Sequence, residues 1–69
     1  MDANTLIAGS ELPARIRNLC RDYPYLGKTF GDLATYKSYE LRRWRHVGEG
    51  IVEETKVVLK KAGLEFTDN

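Results

Sequence analysis

The chain has 69 residues, 42% hydrophobic and 30% charged, which fits one small folded domain and is too apolar for a disordered tail. A net charge of +1 excludes a polybasic nucleic-acid binder, so any attraction to phosphates has to come from local clustering of cations. The single cysteine, Cys20, excludes an internal disulfide and suits a reducing cytoplasm. The start MDANTLIAGS lacks the basic and apolar regions of a signal peptide, and no apolar run nears the roughly 18 residues that span a bilayer, so no membrane partner is expected.

In chain order, residues 1–9 read as a loosely ordered, flexible arm whose only large aliphatic residues, Leu6 and Ile7, can tuck it against the core. The folded domain spans 10–66, with 67–69 as a C-terminal tail. Ser10 is placed to cap a first helix, with Glu11 at the positive end of its dipole and Pro13 tolerated in the first turn. That helix runs to about Asp22. Leu12, Ile16, Leu19 and Cys20 recur at i, i+4, i+7 and i+8 and form one apolar stripe, flanked by Arg15, Arg17 and Arg21. Pro24 and Gly27 break the helix in DYPYLGK, an aromatic loop whose Tyr23, Tyr25 and Leu26 are placed to cover the core edge.

Thr29 caps a short second helix, FGDLA, presenting Phe30 and Leu33. A third helix starts at Thr35 or Ser38 and carries Tyr39, Leu41 and Trp44; Trp44 and Tyr39 are assigned to the core, and Tyr36 is left open. The turn from His46 to Gly50 leads into a fourth helix over roughly Gly50 to Ala62. Its Val52, Thr55, Val58, Leu59 and Ala62 share the core face. Gly63 closes it, and Lys60 with Lys61 complements the negative end of its dipole. No stretch alternates at period two for long enough to argue for a sheet. The fold class is all-α, a compact bundle of four to five short helices containing a helix-hairpin-helix.

Chemistry concentrates around the turn. Gly48 and Gly50 serve a tight helix–helix connection, and glycine there also lets amides at a helix N-terminus approach an anion such as a phosphate. Arg42, Arg43 and Arg45, with Lys37, make a basic ridge before the turn, opposed by Glu40 and then by Glu49, Glu53 and Glu54. A mixed surface of this kind predicts weak, salt-sensitive nucleic-acid binding. The alternative is a solvated helix face followed by acids that stabilise a helix start. His46, the only histidine, and the distant Cys20 make no zinc site, and Cys20 reads as a small buried hydrophobe. With no nucleophile–base pair and no acid–base dyad, neither an enzyme nor a cofactor or metal is expected.

The order of these segments resembles the C-terminal domain of the bacterial RNA polymerase alpha subunit. That family pairs a first helix of the form L-x-V-R-x-x-N-C-L with a later IGDL, an EL helix, an LG hairpin and a helix ending in GL. Here the matching segments are LPARIRNLC, FGDL, YELRRW and HVGEGIVEETKVVLKKAGL, covering roughly residues 11–65. The loop between Cys20 and Phe30 is about two residues longer than the family's. The resemblance implies a bundle of short helices with a helix-hairpin-helix, low-affinity binding of A·T-rich double-stranded DNA through the minor groove, and docking with transcription regulators or polymerase subunits. The family's DNA-contacting arginine falls on Arg15, its asparagine on Asn18, its hairpin glycine on Gly48 and a fourth-helix glutamate on Glu54.

Two departures bear on that expectation. Where the family has GKKS, this chain has Gly48, Glu49, Gly50 and Ile51, which removes two phosphate-directed lysines. Leu19 stands where the family often has cysteine. The second reading is therefore a protein-interaction adaptor of the transcription machinery that keeps the fold without DNA binding. It would use Ile51 and the surface around Lys37, Tyr39 and Glu40, which matches the family's activator-docking region. The start MDANTL favours a stand-alone relative over an excised domain.

Overall fold

The computed structural model describes residues 1–68; Asn69, the end of the expected tail 67–69, lies outside the described residues. The first helix, α1, spans Ala14–Asp22 and begins four residues after Ser10. Ser10 is not its cap, because its hydroxyl is engaged in a preceding turn. It donates to the Ile7 carbonyl at 2.7 Å and accepts from the Leu12 N–H at 3.2 Å. Pro13, at φ −52° and ψ 141°, is the N-cap, and Arg17 Nε donates to the Leu12 carbonyl at 2.9 Å. Leu12, Ile16, Leu19 and Cys20 are all buried, as their spacing requires.

A 3-10 turn, Pro24–Leu26, follows α1 at once. The aromatic loop does not cover the core in the expected way. Leu26 is half-buried, whereas Tyr25 is 81% exposed and meets Tyr23 edge-on at 6.0 Å, also outside the core. Helix α2, Phe30–Ala34, starts at Thr29 in a reciprocal capping box. Thr29 Oγ1 accepts from the Asp32 N–H at 3.2 Å, and the Asp32 carboxylate accepts from the N–H groups of Lys28 and Thr29 at 2.8 and 3.1 Å. Those two backbone donors, Lys28 first, hold the Asp32 carboxyl below its ordinary range.

The arm lies along this capping segment. The Phe30 N–H donates to Thr5 O, the Gly31 N–H to Ala3 O and the Ile7 N–H to Lys28 O, each at 2.9 Å. Leu6 and Thr29 form one antiparallel bridge, and no sheet develops among the described residues. Alternation along the extended arm buries Ile7 (2% exposed) and leaves Leu6 outside (61%). A Cβ at Gly31 would stand 3.0 Å from Ala3 O, so any other residue there would push the arm back by a few tenths of an ångström.

Helix α3 is short, Ser38–Arg42. Ser38 and Leu41, at i and i+3, take its inward face and are buried. Tyr39, about 100° around the helix from Ser38, is therefore not a core residue as expected but 44% exposed. Trp44 is half-buried beyond the helix end and meets the Tyr36 ring edge-on at 5.4 Å, while the Tyr36 hydroxyl donates to Leu26 O at 2.6 Å. Burial above all pushes the Tyr36 phenol upward.

Helix α4 spans Glu49–Lys61 and buries Val52, Thr55, Val58 and Leu59, with Ala62 partly covered just beyond it. Gly63, at φ 76°, ends it in a Schellman motif: its N–H donates to Lys60 O and the Leu64 N–H to Leu59 O, both at 2.9 Å. The chain then returns to the start of α3. Phe66 is 2% exposed, the Thr67 N–H donates to Tyr36 O at 3.0 Å, and the Asp68 carboxylate accepts from Ser38. The result is a compact all-α bundle of four short helices around one core, which Val47 and Phe66 also enter. No described helix is long and apolar enough to cross a membrane.

Candidate nucleic-acid interface

Residues 43–48 connect α3 to α4, and the sharp bend in them is not made by glycine. His46 takes the positive φ, at 59°, while Gly48 is extended at φ −98° and ψ −178°, a conformation open to any residue. The expected role of Gly48 and Gly50 in a tight connection is thereby corrected. A Cβ at either position would meet nothing within 4 Å, so neither packing nor torsion in this chain calls for glycine there.

Gly48 is the N-cap of α4 and has no side chain to close the helix end. The first hydrogen bond of the helix runs from the Val52 N–H to Gly48 O at 3.2 Å. The amides of Glu49, Gly50 and Ile51 therefore open toward solvent with no acceptor among the described residues. The helix dipole adds partial positive charge at the same point.

Of the basic ridge, Arg42, Arg43 and Arg45 are all exposed, and they differ in their surroundings. Arg42 Nη2 stands 3.8 Å from Glu49 Oε1, so the acid beside the open amides is partly neutralised. Arg43 Cζ lies 5.8 Å from the centre of the Tyr39 ring and Lys37 Nζ lies 5.9 Å from it, within cation–π range. Glu40 accepts from the Lys37 N–H at 3.2 Å. Lys37, Tyr39, Glu40 and Arg43 thus form one patch on α3. Ile51 is only half-exposed, because it packs against the core. Glu54 is exposed, one turn along α4 from Gly50 on the same face.

Arg15 and Asn18 are exposed on α1, three residues apart and so on one side of it. Neither makes a hydrogen bond or ion pair to the α3–α4 connection. The ion pair that ties the lead-in of α1 to α4 joins Glu11 to Lys61 at 3.5 Å. Lys61 lies at the far end of α4 from Gly48, about 20 Å away at the helical rise. An apolar groove also lies between the arm and α1, and Leu6, expected to tuck against the core, is instead 61% exposed at its edge.

The remaining reactive groups stand apart from this surface. Cys20 is buried, and burial first, with the Asp32 charge second, pushes its thiol up to about 11. Among the described residues, no three His, Cys, Asp or Glu side chains stand close enough to share a metal ion. A scan against protein-family models finds no match to this chain, and neither do searches of curated proteins and of solved structures.

Proposed function

We propose that this chain is a transcription-associated DNA-binding module. In this reading α3, the connection and α4 act as a helix-hairpin-helix whose open amides take a backbone phosphate. Arg15 and Asn18 enter the minor groove of A·T-rich duplex, as the resemblance to the polymerase alpha C-terminal domain implies. A narrow, electronegative minor groove attracts an inserted guanidinium. Arg42, Arg43 and Arg45 add attraction at longer range, and Glu54 lines the same face of α4. The observation that carries this reading is the pair of glycines at the start of α4. Glycine suits the N-cap at 48, but Gly50, in the first turn of α4, weakens the helix by up to about 1 kcal/mol relative to alanine, and nothing among the described residues requires it, so an outside contact is a reason to have it.

A second reading has its own support. Tyr39 stands exposed between two cations, and Glu49 engages Arg42 beside the open amides, features that suit a docking surface for a regulator or polymerase subunit. Titration of the labelled protein with an A·T-rich duplex, followed by NMR at about 50 and 200 mM salt, separates the two. DNA binding gives shifts at Arg15, Asn18 and residues 48–51 that weaken steeply with salt, and Arg15→Ala lowers affinity at least ten-fold. Absence of shifts at low salt, or Arg15→Ala binding as well as the parent, leaves the adaptor reading.

A further inference from the structure

The arm, α1 and the 3-10 turn enclose a groove of about 290 Å³. Its apolar part comes from Leu6, Ile7, Cys20 and Pro24, and Arg17, Arg21 and Lys28 stand among its lining residues. Among the described residues no carboxylate lines it, although Asp22 pairs with Arg21 at 3.2 Å, Arg17 Nε donates to Leu12 O at 2.9 Å, and the Asp32 charge is felt at Lys28 and Cys20. On α1 the groove takes residues 17, 20 and 21; Cys20 belongs to the buried stripe, and Arg21, three residues after Asn18, lies beside Asn18, so the groove borders the proposed DNA surface.

Three features fix the kind of occupant. The volume sits just under the roughly 300–1,000 Å³ of small-molecule pockets and suits one or two apolar side chains. The cations select against basic ligands and favour an acidic one. The exposed pair Tyr23 and Tyr25 flanks Pro24, adding the aromatic surface that is enriched where proteins meet.

We propose that this groove docks an acidic peptide segment of another protein, seating an apolar side chain on Leu6, Cys20 and Pro24 while its carboxylates face Arg17, Arg21 and Lys28. An anchored carboxylate-rich segment gains steering from the cations and most of its residence time from the buried anchor. With one small pocket the affinity is modest, a Kd of about 100 μM.

The test is a ¹H–¹⁵N NMR titration with a short synthetic peptide carrying a Leu-Phe pair flanked by glutamates. Shifts are expected at Leu6, Ala8, Cys20, Gly27 and Lys28. Lys28→Glu and Leu6→Glu, both altering exposed side chains, each weaken binding about five-fold or more while the spectra remain those of a folded protein. A peptide with serines in place of Leu-Phe loses binding. The proposal is overturned by any of four results. One is no shift at these residues by about 1 mM peptide, a limit equivalent to about 4 kcal/mol; another is equal binding of the serine peptide. The third is the same resonances moving on dilution of the protein alone, which assigns the groove to a second copy. The last is tighter binding of a free alkyl carboxylate, which makes it a small-molecule site.

Discussion

Asp68 closes the amino end of α3 from across the chain. Its carboxylate accepts the backbone N–H of Ser38 at 3.0 Å and the Ser38 hydroxyl at 2.6 Å, thirty residues away in sequence. Ser38 itself, the first residue of the helix, is buried. An N-cap is ordinarily supplied by the residue just before the helix; here Lys37 holds that position and cannot accept, so the tail does the capping.

This contact makes stability depend on pH. The two donors of Ser38, the hydroxyl first and the amide second, hold the Asp68 carboxyl below its ordinary range. A depressed folded-state pKa means the stabilisation is complete above the unfolded value of about 3.9 and fades as pH falls through the folded value. Asp68→Asn should therefore lower the melting temperature at neutral pH, and the gap from the parent should close as pH drops below about 4. Thermal melts from neutral to acid pH measure it. A gap that stays constant with pH would show that the charge on Asp68 does not contribute.

The segment that follows α4 should also prove indispensable for packing. Phe66 is among the most deeply buried side chains, and truncating such a residue to alanine costs about 3–5 kcal/mol. A domain of this length has about 3–10 kcal/mol in total. Phe66→Ala is expected to leave the chain largely unfolded or close to its transition at 37 °C, read by circular dichroism and urea titration.

Gly50→Ala separates folding from binding. With open space around it and helical surroundings, alanine should stabilise α4 by about 0.5–1 kcal/mol. If a phosphate reaches the amides there, the added methyl group obstructs it, and duplex affinity falls while the melting temperature rises. Parallel melts and fluorescence anisotropy check the opposed signs.

Cys20 should resist thiol reagents in the native state. Its sulfur is buried and its thiol stays protonated well above neutral pH. With the thiol protonated at the floor of the groove, labelling by iodoacetamide at pH 8 is expected to be slow, and Phe66→Ala should accelerate it sharply. Mass spectrometry over time distinguishes this from ready labelling of an accessible thiol.

Local signals in the sequence specify much of the fold. The stripe Leu12, Ile16, Leu19 and Cys20, the Thr29 cap with Phe30 and Leu33, and the Gly63 ending all follow from spacing and capping rules acting within a few residues. What escaped was non-local or conformational. Thr67 and Asp68 act on partners about thirty residues back, at Tyr36 and Ser38, which no local window reveals. Ser10 looked like a cap because its hydroxyl suits one, yet the same hydroxyl completes a turn with Ile7 and Leu12. Tyr39 looked like core by size, but a five-residue helix has room for only one inward face, and Ser38 with Leu41 fills it. At the candidate site, the exposed arginines and the open helix start were legible as residue types. That the bend belongs to His46 was not, since glycines nearby offered the commoner explanation.

The left-handed torsion at His46 divides labour along residues 43–48. The bend is made there, upstream of the two glycines, of which Gly48 only starts the hydrogen bonding of α4 and Gly50 lies in its first turn. Positions 48 and 50 consequently admit other side chains without collision, so the helix tip can be varied while the bend behind it stays in place.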